Sequence, residues 1–262
     1  MTEPLVVVQL SDLHLDGAPR AAARARRVVE HVLAMDPPPD VVLVTGDLAD
    51  HGLPQEYAEV GRLLRRLAPV PVLVCPGNHD RREPMTTRLL GGRVDLTGAG
   101  EPGPVNQAFD IGGVRFLMCD SSIPGRDEGL LDGTTLDWLE GQLAAAAGTP
   151  SFVCFHHPPV SLYVPSIDAL RLLEPERLAT VLQRHEQVIA VLCGHAHTAA
   201  ASTFAGRPVL VAPGVVSTLV LPGEAPMVAA GAVIDPDLPP AFTVHVWADG
   251  RLTSHVRALS MG

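Results

Sequence analysis

The stretch Leu5-Val6-Val7-Val8-Gln9-Leu10-Ser11-Asp12-Leu13-His14 decides how the chain is read. A short apolar run with no basic lead, ending at Ser11 and Asp12, predicts a buried strand rather than a secretory signal. It ends in two side chains that can bind metal, separated by one apolar residue. The figure then recurs. Val41 to Thr45 leads into Gly46-Asp47, and Val70 to Cys75 into Gly77-Asn78-His79-Asp80. Phe152 to Phe155 leads into His156-His157-Pro158, and Val188 to Cys193 into Gly194-His195-Ala196-His197. In open α/β sheets ligands collect beyond the carboxyl ends of the strands, where side chains are free of the ladder. One ion has no use for so many ligands, whereas two ions sharing a carboxylate do.

Between these runs lie longer amphipathic stretches, the pattern of an α/β protein. Helices are expected over Ala18 to Met35, stopped by Pro37 to Pro39, and over Gln55 to Leu67, whose Tyr57, Val60, Leu63, Leu64 and Leu67 share one face. After Cys75 the chain turns Gly- and Pro-rich to about Pro104 and is expected to be a long surface loop. A hairpin follows, Gln107 to Ile111 and Val114 to Cys119 around Gly112-Gly113. Helices are expected at Thr134 to Ala147 and Pro175 to His185. A turn around Gly206 and a last hairpin across Asp249-Gly250 complete the pattern.

At 262 residues, 47% hydrophobic and 18% charged, the chain suits a single large domain over 1–262. A net charge of −10 disfavours nucleic-acid polymers and anionic membranes, so a small anionic substrate needs a locally positive site. No apolar run is long enough to span a membrane. Cys75, Cys119, Cys154 and Cys193 sit late in apolar runs and read as buried free thiols of a cytoplasmic protein.

The ordered series Asp12-x-His14, Gly46-Asp47, Gly77-Asn78-His79-Asp80, His156-His157-Pro158 and Gly194-His195-x-His197 resembles the calcineurin-like metallophosphoesterases. Within them, Leu10 to Leu15 and His156-His157-Pro158-Pro159 are similar to the bacterial class III cyclic-nucleotide phosphodiesterases. The resemblance implies a four-layer α-β-β-α sandwich with mixed sheets and the site at strand carboxyl ends. It implies that Asp12, His14 and His197 hold one metal, that Asn78, His156 and His195 hold a second, and that Asp47 bridges them. His79 would be catalytic without binding metal, and because the family motif uses the first histidine of the pair, His157 would support the ligands from behind or serve the structure.

Imidazole, amide and carboxylate ligands suit two first-row ions, divalent or trivalent: Fe, Mn, Zn or Co. A hydroxide bridging the ions would attack phosphorus, so no Ser or Cys nucleophile is required. Two divalent ions less two carboxylates and one hydroxide leave a formal charge of about +1, which favours a phosphodiester monoanion. The expected activity is therefore phosphodiester hydrolysis, with a 3′,5′-cyclic nucleotide such as cyclic AMP as substrate. Glycerophosphodiesters or a broad range of diesters are the alternative, and an inactive binding or regulatory module is the rival from another class.

Among the remaining residues, Asp80 either orients His79 or caps a turn. His31, His51, His185, His245 and His255 lack ligand spacing, although His51 lies where it could border the cleft. Arg20, Arg24, Arg26 and Arg27 are expected on a solvated helix face. Residues 221–240, rich in Pro, Gly and Ala, read as a surface loop, a lid or a dimer contact.

Overall fold

A computed structural model describes residues 3–92, 102–224 and 234–260. The first sheet is built from β1 (Leu5–Leu10), β2 (Val41–Thr45), β3 (Val72–Cys75), and, far along the chain, β12 (Ala241–Ala248) and β13 (Arg251–Ala258). Its order is β13-β12-β1-β2-β3, parallel across β1, β2 and β3 and antiparallel at the β12 side. The second sheet uses β4 (Gln107–Ile111), β5 (Val114–Met118), β6 (Ser151–Cys154), β7 (Val188–Cys193), β8 (Ala200–Phe204) and β9 (Arg207–Val211), in the order β4-β5-β6-β7-β9-β8. A two-stranded ribbon, β10 (Thr218–Leu219) with β11 (Ile234–Asp235), stands apart.

The period-2 alternation of each strand sorts its side chains into layers. Leu5 and Val7 of β1, Val41 and Leu43 of β2, and Leu73 of β3 meet Phe116, Met118, Phe152, Cys154 and Leu192 of the second sheet. The intervening Val8, Leu10, Val42 and Val44 face the opposite way. They pack on α1 (Pro19–Leu33) and α2 (Pro54–Leu64) through Val28, Val29, Tyr57 and Val60. On the far side Leu117, Val153 and Val191 pack on Leu139, Leu143, Leu178 and Leu182 of α4 (Gly133–Ala145) and α6 (Pro175–Gln183). The result is the expected four-layer α-β-β-α sandwich. Strands read as continuous apolar runs because both of their faces are covered.

Most elements lie within a residue or two of their expected bounds, and two expectations change. The segment after Cys75 is not wholly loop: α3 (Arg82–Pro84) runs into a π-helical turn at Met85–Leu89, and Met85 is fully buried under α2. Neighbouring Gly and Pro residues hide that apolar anchor in the sequence. Arg24 is not on a solvated face; it is 2% exposed and spends its guanidinium on carbonyl oxygens. His245, expected at the surface or in packing, takes the packing role, buried inside the first sheet. Of the stretch read as lid or dimer contact, 225–233 lie outside the described residues, and its flanks pair as β10 and β11. A four-residue helix, α5 (Pro165–Asp168), completes the inventory. No helix among the described residues is long and apolar enough to cross a membrane.

Candidate metal centre

All five clusters converge where β1, β2, β3, β6 and β7 end, and the chain reaches them through unusual backbone. Among the described residues nine other than glycine have φ in the left-handed region, and five of them are Asp12, His14, Asp47, His195 and His197. Such conformations are uncommon and cost on the order of 1–3 kcal/mol each, so their concentration at one point marks a place where geometry outweighs local stability. Backbone bonds clamp the turns together: Asp12 donates to Gly46 O (3.1 Å), His14 to Asp47 O (2.9 Å) and Gly194 to His156 O (2.9 Å). Gly46 (φ +92°) has no room for a side chain, because a Cβ there would run into the His156 ring.

The side chains form one buried array. His14 Nε2 lies 3.2 Å from His197 Nε2 and 3.3 Å from Asp47 Oδ2. Asp12 Oδ1 is 3.5 Å from His197 Nε2 and 3.9 Å from His156 Nε2, and Asp47 Oδ2 is 3.3 Å from His156 Nε2. His195 Nδ1 and Asn78 Oδ1 approach to 3.1 Å. Three rings are held from outside through Nδ1: His14 by Asp50 Oδ1 (2.8 Å), His156 by the Thr45 carbonyl (2.7 Å) and His197 by Ser217 Oγ (2.7 Å). Metal-binding histidines are oriented in this way, with the second nitrogen left to face inward.

The array is electrostatically incomplete. Burial opposes ionisation of Asp47, yet His156 and His14 beside it hold its carboxyl well below the ordinary value. Burial would lower His156, but Asp47 overrides it and raises the imidazole to about 9. His195, buried and beside His156, is pushed down to about 3. Four side-chain atoms among the described residues are buried without a hydrogen bond, and three are here: Asp12 Oδ1, His156 Nε2 and His195 Nε2, the first two with only the ion-pair contacts given above. Buried polar atoms are rarely left unpaired. A donor set of imidazole and carboxylate that leaves inward-facing atoms unsatisfied fits first-row metal ions. Asp12, His14 and His197 could surround one ion, and Asp12, Asp47 and His156 lie close enough to share another.

His79 stands at the edge of this array, partly exposed. Its backbone N–H donates to Asp47 Oδ1 (2.9 Å), and its Nδ1 donates to the Asp50 carbonyl (2.7 Å), which leaves Nε2 unassigned. It lines a cleft of about 770 Å³ together with Asp50, His51, Asn78, Arg81, Arg82 and Arg126. That volume is in the range of small-molecule sites. His51 therefore does border the cleft.

Two neighbours acquire definite contacts. Asp80 accepts from the backbone N–H groups of Leu48 (3.1 Å), Ala49 (3.1 Å) and Gly77 (2.9 Å) and from Tyr57 Oη (3.0 Å). It ties the Asp47 turn to the Asn78 turn rather than touching the His79 ring; burial and nearby Asp47 raise its carboxyl to about 6. His157 has both ring nitrogens engaged, Nδ1 with Ser121 Oγ (2.8 Å) and Nε2 with the Asp127 carbonyl (3.2 Å). Although an ion could reach His156, His157 and His195 together, His157 has no free nitrogen to offer.

Asp50, Ser217 and the Thr45 carbonyl were not among the sequence candidates. Asp50 shares a turn with Asp47 and gives a faint signal, while Ser217 lies twenty residues beyond His197 and gives none.

Against known proteins, the model of the calcineurin-like phosphoesterase family matches residues 5–199. A probable cyclic nucleotide phosphodiesterase of Rhodococcus erythropolis is 37% identical over 215 residues, covering 79% of this chain and 69% of that protein. A probable glycerophosphodiester phosphodiesterase of Arcobacter nitrofigilis is 30% identical over 262 residues, 96% of this chain and 92% of its own. The fold matches the crystal structure of a dimetal phosphatase from Danio rerio with a TM-score of 0.73 at 16% identity, covering 98% and 97% of the two chains. A family match over three quarters of the sequence, on a sandwich that gathers Asp, Asn and His at its strand ends, means that this chain belongs to the calcineurin-like phosphoesterases.

Proposed function

We propose that the protein is a metal-dependent phosphodiesterase whose substrate is a 3′,5′-cyclic nucleotide. The observation that carries the chemistry is the set of three buried atoms that make no hydrogen bond, Asp12 Oδ1, His156 Nε2 and His195 Nε2, in an array whose neighbours Asn78 and His79 line a cleft of about 770 Å³. Asp12, His14 and His197 would hold one ion, Asn78, His156 and His195 the second, and Asp47 would serve both. Two such ions would acidify water and offset charge on the phosphoryl oxygens. Iron, manganese, zinc and cobalt all accept this donor set.

The polypeptide contributes placement and a proton. Asp50 and Thr45 lock the tautomers of His14 and His156 so that Nε2 faces inward. His79, with Nδ1–H fixed on the Asp50 carbonyl, can as the doubly protonated imidazolium give its Nε2 proton to the leaving oxygen as the P–O bond breaks, and is left as the neutral Nδ1–H ring. The four cysteines are buried and unpaired, which suits the reducing cytoplasm, where we place the enzyme. We treat 1–262 as one domain.

Cyclic nucleotides are the first choice because the 37% identical relative carries that activity in its name; the relative aligned over 96% of this chain supports glycerophosphodiesters as the second. Metal-replete protein is to be assayed on cyclic AMP, glycerophosphodiesters and bis(p-nitrophenyl) phosphate. Cyclic AMP should give the highest kcat/KM; turnover orders of magnitude below that of a glycerophosphodiester would sink the substrate assignment. Metal analysis of saturated protein should return two ions per chain.

A further inference from the structure

Arg24 is a buried cation with no carboxylate bonded to it among the described residues. Taking a guanidinium out of water costs several kcal/mol unless its N–H groups are matched. Here they are matched by three carbonyls: Nε donates to Val215 O (2.9 Å), and the two terminal nitrogens to Pro236 O (3.1 Å) and Leu238 O (2.6 Å). These oxygens come from two strands of chain, one before and one after the β10–β11 ribbon. Arg20, one turn earlier on α1, adds bonds to Val216 O and Pro236 O.

The residues held by Arg24 are wedged against the metal centre. Val215 N donates to Ser11 O (3.0 Å) and Val216 N to Asp12 O (3.0 Å), so this run lies alongside the first ligand turn. Ser217, the next residue, bonds His197 Nδ1 at 2.7 Å, and Leu219 N donates to His197 O at 3.2 Å. A Cβ at Gly214 would lie 2.5 Å from Ser217 O and 3.1 Å from the His197 Cα, so the run packs closely against the backbone of His197.

We infer that Arg24 is a positioning residue for the metal centre, acting through Val215 and Ser217 to fix the His197 ring. Helix α1, which contributes no ligand, thereby sets the half of the centre formed by Asp12, His14 and His197. The inference rests on the dinuclear reading above.

Metal affinity, measured by chelator competition, provides the test. Arg24→Met and Ser217→Ala should each weaken one of the two ions about 10- to 100-fold, the range for losing an outer partner of a ligand histidine, and leave the other ion within a few-fold. The double variant should be no worse than the more affected single variant, because both substitutions interrupt one path. In cobalt-loaded protein both single variants should change the visible absorption in the same direction, a signature that general loss of stability does not produce. Arg24→Lys, which retains the charge but reaches fewer carbonyls, should show a smaller loss at the same ion and guards against failure of Arg24→Met to fold. Wild-type affinities in Arg24→Met, or in Arg24→Lys where only that variant folds, overturn the inference, as do additive effects in the double variant. A wild-type protein that binds no ion overturns the dinuclear reading and the inference with it.

Discussion

At the scale of single residues, the centre depends on positions where nothing larger fits. Gly194 precedes His195 and is packed so closely that a Cβ would run into Ser11 Oγ and lie 2.6 Å from Thr45 O, the carbonyl that orients His156. Gly194→Ala must therefore push two ligand turns apart. Overpacking of this kind costs about 1–3 kcal/mol, and here it also displaces ligands. Denaturant unfolding and metal analysis should show lower stability together with less than two ions per chain; full metal content in the variant would contradict the packing argument. His79→Ala is the complementary case. Its ring is no part of the proposed ligand set, so metal content should remain unchanged while kcat falls about 10²- to 10⁴-fold, the usual contribution of a positioned acid. Loss of metal in that variant would move His79 into the ligand set.

At the scale of elements, apolar runs were legible because both faces of each central strand are covered, which leaves Val and Leu with few polar interruptions. The exception within β1 is Gln9. Its side chain turns into the inter-sheet core, where it donates to Thr45 Oγ1 (3.0 Å) and Cys193 O (2.9 Å) and meets His245 Nε2 at 2.9 Å. Sequence spacing could not join residue 9 to 245, because β12 reaches β1 only after the second sheet has been completed. For the same reason the ligands lying at strand ends were readable, while Ser217 and Arg24, which depend on a distant return of the chain, were not. His245 has a consequence for pH. Burial lowers its pKa to about 4, below the ordinary 6.5, so the folded protein binds its proton less readily than the unfolded chain does. Its contribution is thus fully present above pH 6.5 and is lost as pH falls towards 4. The difference amounts to about 3 kcal/mol. Urea midpoints of metal-free wild type and His245→Gln, compared at pH 7 and pH 5, should converge towards the acid side; a constant gap would remove His245 as a source of acid sensitivity.

At the scale of the whole molecule, the ligand array sits on a scaffold whose three apolar clusters contain none of its side chains. Three separate apolar layers, one between the sheets and one beneath each pair of helices, hold the sandwich without any contribution from the ligand atoms. This differs from small metal domains, in which binding energy is folding energy. Chelation should therefore abolish hydrolysis while leaving far-ultraviolet circular dichroism intact. It should still cost stability, because ions that bind only the folded state add about 2.7 kcal/mol each at a hundredfold excess over Kd. For a chain of this size that corresponds to a rise in Tm of about 5–10 °C per ion. The gain should arrive in two steps on adding metal back, since His14 and His197 pair with one another and Asn78 pairs with His195, with Asp47 as the one shared carboxylate. Calorimetry of the chelated protein titrated with manganese or zinc tests this directly. Unfolding on chelation would mean that the ligand turns, with their five left-handed residues, are held by metal rather than by the sandwich beneath them. A Tm indifferent to metal would mean that the unpartnered atoms of Asp12, His156 and His195 do not bind it.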